Sequence, residues 1–143
     1  MRRIARSAIV ECSAESLYAL VSDVESYPDF LPWCSAARVQ EKGLATLVLG
    51  LKGMRHSLTT ENRYQPGSAI TMRLVEGPFR HFLAEWRFTP LGDSASKAEF
   101  FLEYEFSSRL LAGALGPVLA RMADRTLDAF VRRAAARRDE AAH

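Results

Sequence analysis

The chain's 143 residues suffice for one domain and fall short of two ordinary ones. With 48% hydrophobic and 25% charged residues it has the profile of a soluble globular protein, not of a disordered or fibrous one. Two cysteines, Cys12 and Cys34, without a Cys-x-x-Cys spacing argue against a disulfide scaffold, a cytochrome or a cysteine-held cluster, and two thiols alone suit a reducing compartment, the cytoplasm.

The net charge of +2 hides an asymmetry. Of the 19 basic residues 16 are arginine, and Arg121, Arg125, Arg132, Arg133, Arg137 and Arg138 crowd the last quarter of the chain. Asp124, Asp128, Asp139 and Glu140 are the acids that answer them. This is a modest basic face, suited to phosphate or anionic lipid, and not a nucleic-acid-binding tail.

In chain order, residues 3–11 suit a first strand. Arg6 and Glu11 interrupt the apolar run that a signal peptide would need there. Ser13 is placed to cap a helix over 14–23, where Leu17, Leu20, Val21 and Val24 form one apolar stripe. Pro28 and Pro32 then forbid a long helix, leaving room for one turn at Asp29–Leu31.

From 35 to 107 short alternating segments predict six strands of an antiparallel meander. Turn residues punctuate them at Glu41-Lys42-Gly43, Lys52-Gly53, Gln65-Pro66-Gly67-Ser68, Glu76-Gly77-Pro78 and 90–94. The apolar rows are Ala45, Leu47, Leu49 and Leu51; Ile70, Met72 and Leu74; Phe82, Ala84, Trp86 and Phe88; and Phe100, Leu102, Tyr104 and Phe106. Arg73, Glu85, Arg87, Glu99, Glu103 and Glu105 occupy the opposite face. A sheet with one apolar face needs a cover. Val118, Leu119, Met122, Ala123, Thr126, Leu127, Phe130, Val131 and Ala134 supply it, on a helix of about six turns starting at Pro117 and ending near Arg138. The tract 110–120 is too short to cross a bilayer. The expected architecture is α+β, residues 1–143 forming a single domain in which a curved antiparallel sheet grips a long C-terminal helix.

Catalytic signals are absent from this sequence. His56, His81 and His143 are scattered and form no metal-ligand spacing, and there is no phosphate-binding glycine loop or nucleophile elbow. Cys34 has no recognisable base, so both thiols read as inert. Glu99, Glu103 and Glu105 lie on the wet row, with little reason for shifted pKa values. No metal or cofactor is expected. The notable inventory is apolar: a helix across a curved sheet leaves a wedge that side chains fill or line, and Leu58, Thr60, Asn62 and Tyr64 share one row. An apolar pocket with a few fixed polar groups suits a hydrophobic ligand. A plain core, with Thr60 and Asn62 pairing to backbone at a sheet bend, explains the same residues equally well.

At this point the chain resembles a family. Arg6-Ser7-Ala8, residues 17–24 (LYALVSDV), YPDFLPWC at 27–34, GPF at 77–79, WRF at 86–88, LEYEF at 102–106, and Met122 with Ala129-Phe130 together look like the coenzyme Q-binding START-like proteins. These belong to the polyketide cyclase/dehydrase and lipid-transport superfamily, whose bacterial members include a ribosome-association toxin group. The resemblance implies a helix-grip fold, seven antiparallel strands around the C-terminal helix with two short helices after the first strand, and a hydrophobic cavity.

Three functions follow from that resemblance. The first is non-catalytic binding of ubiquinone or another isoprenoid lipid in support of respiratory electron transfer. Thr60, Asn62, Tyr64 and Tyr104 would be its polar contacts, and Met72, Trp86, Phe88, Leu102, Met122 and Phe130 its walls. Tyr27, Phe30, Leu31, Trp33 and Phe79 would form the mouth, touching the inner membrane peripherally if exposed, or else a plug closing one end of the sheet. The second is a ribosome-association toxin that binds the large subunit and blocks subunit joining. Arg121, Arg125, Arg132 and Arg133 would meet RNA, with Arg2, Arg3 and Arg6 as a second patch, although a solvated helix face explains these arginines too. The third and weakest is a polyketide cyclase or aromatase, for which no polar catalytic group is evident. The expected partners are therefore a ubiquinone-like small molecule and the large ribosomal subunit; nothing calls for DNA.

Overall fold

A computed structural model of the chain describes residues 1–51 and 53–141; for Lys42, Leu51, Asp139, Glu140 and Ala141 it describes the backbone alone. Lys52 and His143, both singled out above, lie outside the described residues. The elements run β1 (Arg2–Val10), α1 (Ala14–Ser22), a 3₁₀ turn (Val24–Asp29), β2 (Cys34–Val39), β3 (Leu44–Leu51), β4 (Met54–Gln65), β5 (Ala69–Glu76), β6 (Phe79–Pro90), β7 (Ser96–Phe106) and α2 (Arg109–Ala141), with a second 3₁₀ turn at Glu41–Gly43. The strands form one seven-stranded open sheet in the order β1-β7-β6-β5-β4-β3-β2, every neighbouring pair antiparallel. β2 to β7 are a plain meander. β1 pairs with β7 along its whole length, so α1 and the first 3₁₀ turn must carry the chain from one sheet edge to the other.

Local chemistry sets the boundaries. The Ser13 hydroxyl accepts a hydrogen bond from the Ser16 N–H at 3.1 Å, capping α1 as expected, and Leu17, Leu20 and Val21 turn inward. The β4–β5 hairpin turns at Pro66-Gly67, where Ser68 N–H bonds the Gln65 carbonyl at 2.9 Å and Gly67 takes φ +75°. Proline at the first central position and a positive φ at the second make it a type II turn. Gly43 also has φ +75°, and a Cβ there would stand 2.8 Å from the Asn62 carbonyl oxygen, so this crossing tolerates only glycine.

Three irregularities bend the sheet and reset which side chains face inward. The register shifts between Cys34 and Ala36, between Thr59 and Thr60, and between Phe79 and His81. In β6 the extra residue is Arg80. Because of it Phe79 and Phe82, three apart, both face the apolar side, with ring centroids 5.2 Å apart.

Two elements depart from expectation. The short helix lies at Val24–Asp29 and includes Pro28, rather than following it at Asp29–Leu31. It forms earlier because buried Val24 and Tyr27 anchor it from within and because the Tyr27 hydroxyl donates to the Val21 carbonyl. More substantially, α2 begins eight residues before Pro117, at Arg109, and runs 33 residues. Ser108 caps it, its Oγ accepting from Leu111 N–H at 3.1 Å, and Leu115 is buried. Pro117 costs the Gly113 carbonyl its usual donor, but a Cβ at Gly113 or Gly116 would meet nothing within 4 Å, so this turn lies on the open side of the helix, where water can serve that carbonyl.

The inward stripe of α2 is Leu115, Leu119, Ala123, Thr126, Leu127, Phe130 and Ala134, each three or four residues from another of the set. Phe130 is its centre. Its ring stands edge-on to Trp86 of β6 at 5.0 Å, to Phe30 at 5.1 Å and to Tyr27 at 5.3 Å. On the outside, Arg6 of β1 pairs with Asp124, and Arg138 reaches both Glu11 Oε2, at 2.8 Å, and the Glu11 carbonyl, at 3.2 Å.

Two outcomes test this packing. Phe130→Ala removes a ring from between three others and should cost about 3–5 kcal/mol of unfolding free energy in urea titrations. Burial pushes the Cys34 thiol up to about 11, and Cys34 is 3% exposed. At pH 8 its alkylation in the folded protein should therefore lag the urea-unfolded chain by more than about a hundredfold, read by mass spectrometry.

Candidate functional site

Between α2 and the bent sheet lies an apolar cavity of about 80 Å³. Each inner row contributes to its wall: Leu47 and Leu49 from β3, Leu58 and Thr60 from β4, Met72 from β5, Phe82, Ala84 and Trp86 from β6, Phe100 and Leu102 from β7. α2 closes it with Leu119, Met122, Ala123, Thr126 and Phe130, and the segment after α1 closes it with Tyr27 and Trp33.

The hydroxyls on this wall are committed to the protein. Thr126 Oγ1 donates to the Met122 carbonyl at 2.9 Å. Thr60 Oγ1 lies 2.6 Å from Asn62 Oδ1, an O–H···O spacing, and Asn62 Nδ2 lies 3.2 Å from the Tyr64 hydroxyl. Both threonines thus turn their hydrogens away and leave lone pairs toward the cavity. Tyr27, whose hydroxyl bonds the Val21 carbonyl, is held well above the ordinary tyrosine range, chiefly by burial. Among the described residues, no carboxylate, imidazole, amine or thiol lines the cavity.

Of the expected ligand contacts, Thr60, Met72, Trp86, Leu102, Met122 and Phe130 stand on the wall. Asn62 and Tyr64 are off the wall: Asn62 accepts from Thr60 and donates to Tyr64, a side-chain relay rather than bonds to backbone at a bend. Phe88 is off the wall, edge-on to Tyr18 of α1 at 6.0 Å. Tyr104 is off it too, among Phe79 and Phe106, and its buried hydroxyl has no partner among the described residues. The inner row is longer than the cavity, so its ends are core. Leu47, Leu49, Leu58, Phe82, Ala84, Phe100, Leu119, Ala123 and Thr126 line the cavity without having been singled out as contacts; all but Leu58 lie in rows or stripes read as core, and nothing in alternation tells wall from core.

The expected mouth divides in the same way. Leu31, 1% exposed, is core, and Phe79 stacks on Phe106 at 5.0 Å. Tyr27 is buried in the wall, while Phe30 and Trp33 are half-buried at the surface. There they meet a groove of about 1090 Å³ along α2. Arg121, Arg125, Arg132 and Arg133 all line it, with Asp128. The other arginines considered above are not on its lining: Arg138 pairs with Glu11, Arg6 with Asp124, and Arg3 with Glu103 at 3.2 Å, while Arg2 and Arg137 have no ion pair among the described residues. Glu103 corrects an expectation, because hydrogen bonding by His81, also at 3.2 Å, and then by Arg3 outweighs desolvation and holds it below the usual carboxylate range.

Known proteins share this architecture. The chain is 41% identical over 138 residues to the ribosome association toxin RatA of Vibrio cholerae, covering 94% of this chain and 96% of that one. It is 26% identical to the mitochondrial coenzyme Q-binding protein COQ10 of Drosophila melanogaster, over 88% of this chain and 55% of that one. In structure it matches the ZhuI aromatase/cyclase of a Streptomyces species with a TM-score of 0.81 at 20% identity, over 95% and 94% of the two chains, a likeness of fold alone. Among the described residues, no helix is long and apolar enough to cross a membrane. Residues 10–131 match the family model for polyketide cyclase / dehydrase and lipid transport, and the chain belongs to that family.

Proposed function

We propose that this protein is a non-catalytic binder of an apolar small molecule of the isoprenoid quinone or lipid type. The observation that carries the reading is the cavity itself, lined by aromatic and aliphatic side chains, with two threonine oxygens and, among the described residues, no ionisable group other than the committed phenol of Tyr27. Apolar transfer supplies affinity, about 0.8 kcal/mol for each buried CH₂. The threonine lone pairs can accept from a quinol hydroxyl but offer no donor to a quinone carbonyl, so a quinone would be held here by apolar transfer. At about 80 Å³ the cavity is smaller than the roughly 300–1,000 Å³ of ordinary ligand sites, so binding a whole ligand requires the wall to open. Met122 and Trp33, half-buried where cavity and groove meet, are the parts able to move. The likeness to a coenzyme Q-binding protein supports this reading, and the lack of an acid–base pair on the wall supports binding over catalysis.

A second reading, association with the large ribosomal subunit, has its own support. Four arginines face one groove on α2, and the relative at 41% identity is named for ribosome association. Ribosomal RNA is polyanionic, and arginine contacts to phosphate give binding that weakens steeply with salt.

Each reading has its test. Ala84→Leu fills the cavity from the middle of β6; it should weaken binding of a short-tailed ubiquinone analogue by at least about tenfold, measured by tryptophan quenching, while the unfolding midpoint stays at or above wild type. Wild-type affinity in that folded variant would remove the cavity from the account. Arg125→Glu with Arg132→Glu should abolish co-sedimentation with large ribosomal subunits at low salt, and unchanged sedimentation would rule out the groove.

A further inference from the structure

The cavity and the groove on α2 share walls. Trp33 and Met122 line both. The groove is lined beside them by the apolar Phe30, Val118 and Ala129, and by four arginines against one carboxylate, Asp128. Among the described residues Arg3, Arg6, Arg63, Arg80, Arg87 and Arg138 each have a carboxylate within 4 Å, and none of Arg121, Arg125, Arg132 and Arg133 does. Other arginines, among them Arg38, Arg55 and Arg73 on the sheet, also lack one among the described residues; what sets these four apart is that they gather along one groove.

Arg133 ties that charge to the cavity. Its guanidinium carbon sits 5.4 Å from the centre of the Phe30 ring, and Phe30 is edge-on to Phe130, a cavity wall. Its Nε is buried with no acceptor among the described residues. A buried donor without a partner is costly, and an anion at the groove would satisfy it while gaining the charge-assisted bonds that arginine makes to carboxylate or phosphate. A neutral ligand confined to the cavity leaves this donor orphaned.

We infer that groove and cavity form one site for a single-chain anionic amphiphile, its carboxylate or phosphate head held by Arg125, Arg132 and Arg133 and its apolar chain passing between Trp33 and Met122 into the cavity. The inference deepens the reading of the cavity as a ligand site and rests on it. It also accounts for the small interior volume: the end of the chain enters the cavity, and the remainder lies on Phe30, Val118 and Ala129. A head anion and an RNA phosphate use the same arginines, so the two compete.

The experiment compares dodecanoate, dodecyl phosphate, dodecanol and butyl phosphate by titration calorimetry on the full chain, below their micellar concentrations. At least one long anion should bind ten or more times more tightly than dodecanol, on the order of a 1.4 kcal/mol advantage, and the preferred head identifies carboxylate or phosphate as the cognate group. Arg125→Gln with Arg133→Gln should erase that preference and leave dodecanol binding unchanged, which also reports that the variant is folded. Equal affinity for dodecanol and both anions overturns the inference and leaves the cavity reading standing. Butyl phosphate binding as tightly as dodecyl phosphate overturns it too, since the groove would then be an anion patch independent of the cavity. Failure of all three long-chain compounds overturns the cavity reading together with the inference. Polyuridylate that binds the wild type and is not displaced by the better long anion assigns the groove to RNA and overturns the proposal.

Discussion

The ring of Phe130 is the constraint on which the rest of the molecule depends. It touches the sheet, through Trp86, and the segment after α1, through Tyr27 and Phe30, at once. Those contacts hold the helix across the bent sheet at a fixed height. Below that height the inner rows cannot meet the helix everywhere, and the mismatch between a straight rod and a bent surface is the cavity. Close packing is the rule in protein interiors, so an apolar space bounded by small residues at Ala84 and Ala123 marks a place where filling it was not the requirement.

Most of the architecture was legible in the sequence. The period-two rows of β5, β6 and β7 and the three- and four-residue spacing from Leu119 to Ala134 define an apolar sheet face and its cover without further information. The seven-stranded count and the two short helices before β2 followed from the same punctuation and from the family resemblance. What alternation could not carry was the effect of insertions: the extra residue at Arg80 changes the inward set of β6, bringing Phe79 to the same side as Phe82. Propensity also misplaced the start of α2. A Gly-Pro pair normally marks a boundary, but the Ser108 cap and the burial of Leu115 outweigh the one hydrogen bond lost at Pro117.

The site was legible to a smaller depth. Of the eight contacts chosen from the inner rows four stand on the cavity wall, because an inward residue near the sheet centre faces the helix, and both chosen from α2 stand there too. Phe88 and Tyr104 do not, because they sit where helix and sheet come together, and no local pattern encodes that distance. The arginines illustrate the converse. Six crowd the last quarter of the chain, but helical phase separates them: Arg121, Arg125, Arg132 and Arg133 turn toward Trp33 and Phe30, while Arg138 turns toward Glu11. The partners of Arg6 and Arg138, Asp124 and Glu11, lie more than a hundred residues away in the sequence.

Binding of an apolar molecule between α2 and the sheet is the central claim. The most direct measurement is native mass spectrometry of the protein isolated without detergent from its own cells, followed by organic extraction and identification of what is released. The account predicts a non-covalent adduct of lipid or isoprenoid mass that disappears on extraction, and its reappearance when the stripped protein is incubated with a lipid extract of the same cells. A single mass equal to the bare chain before extraction, unchanged after that incubation, would contradict it.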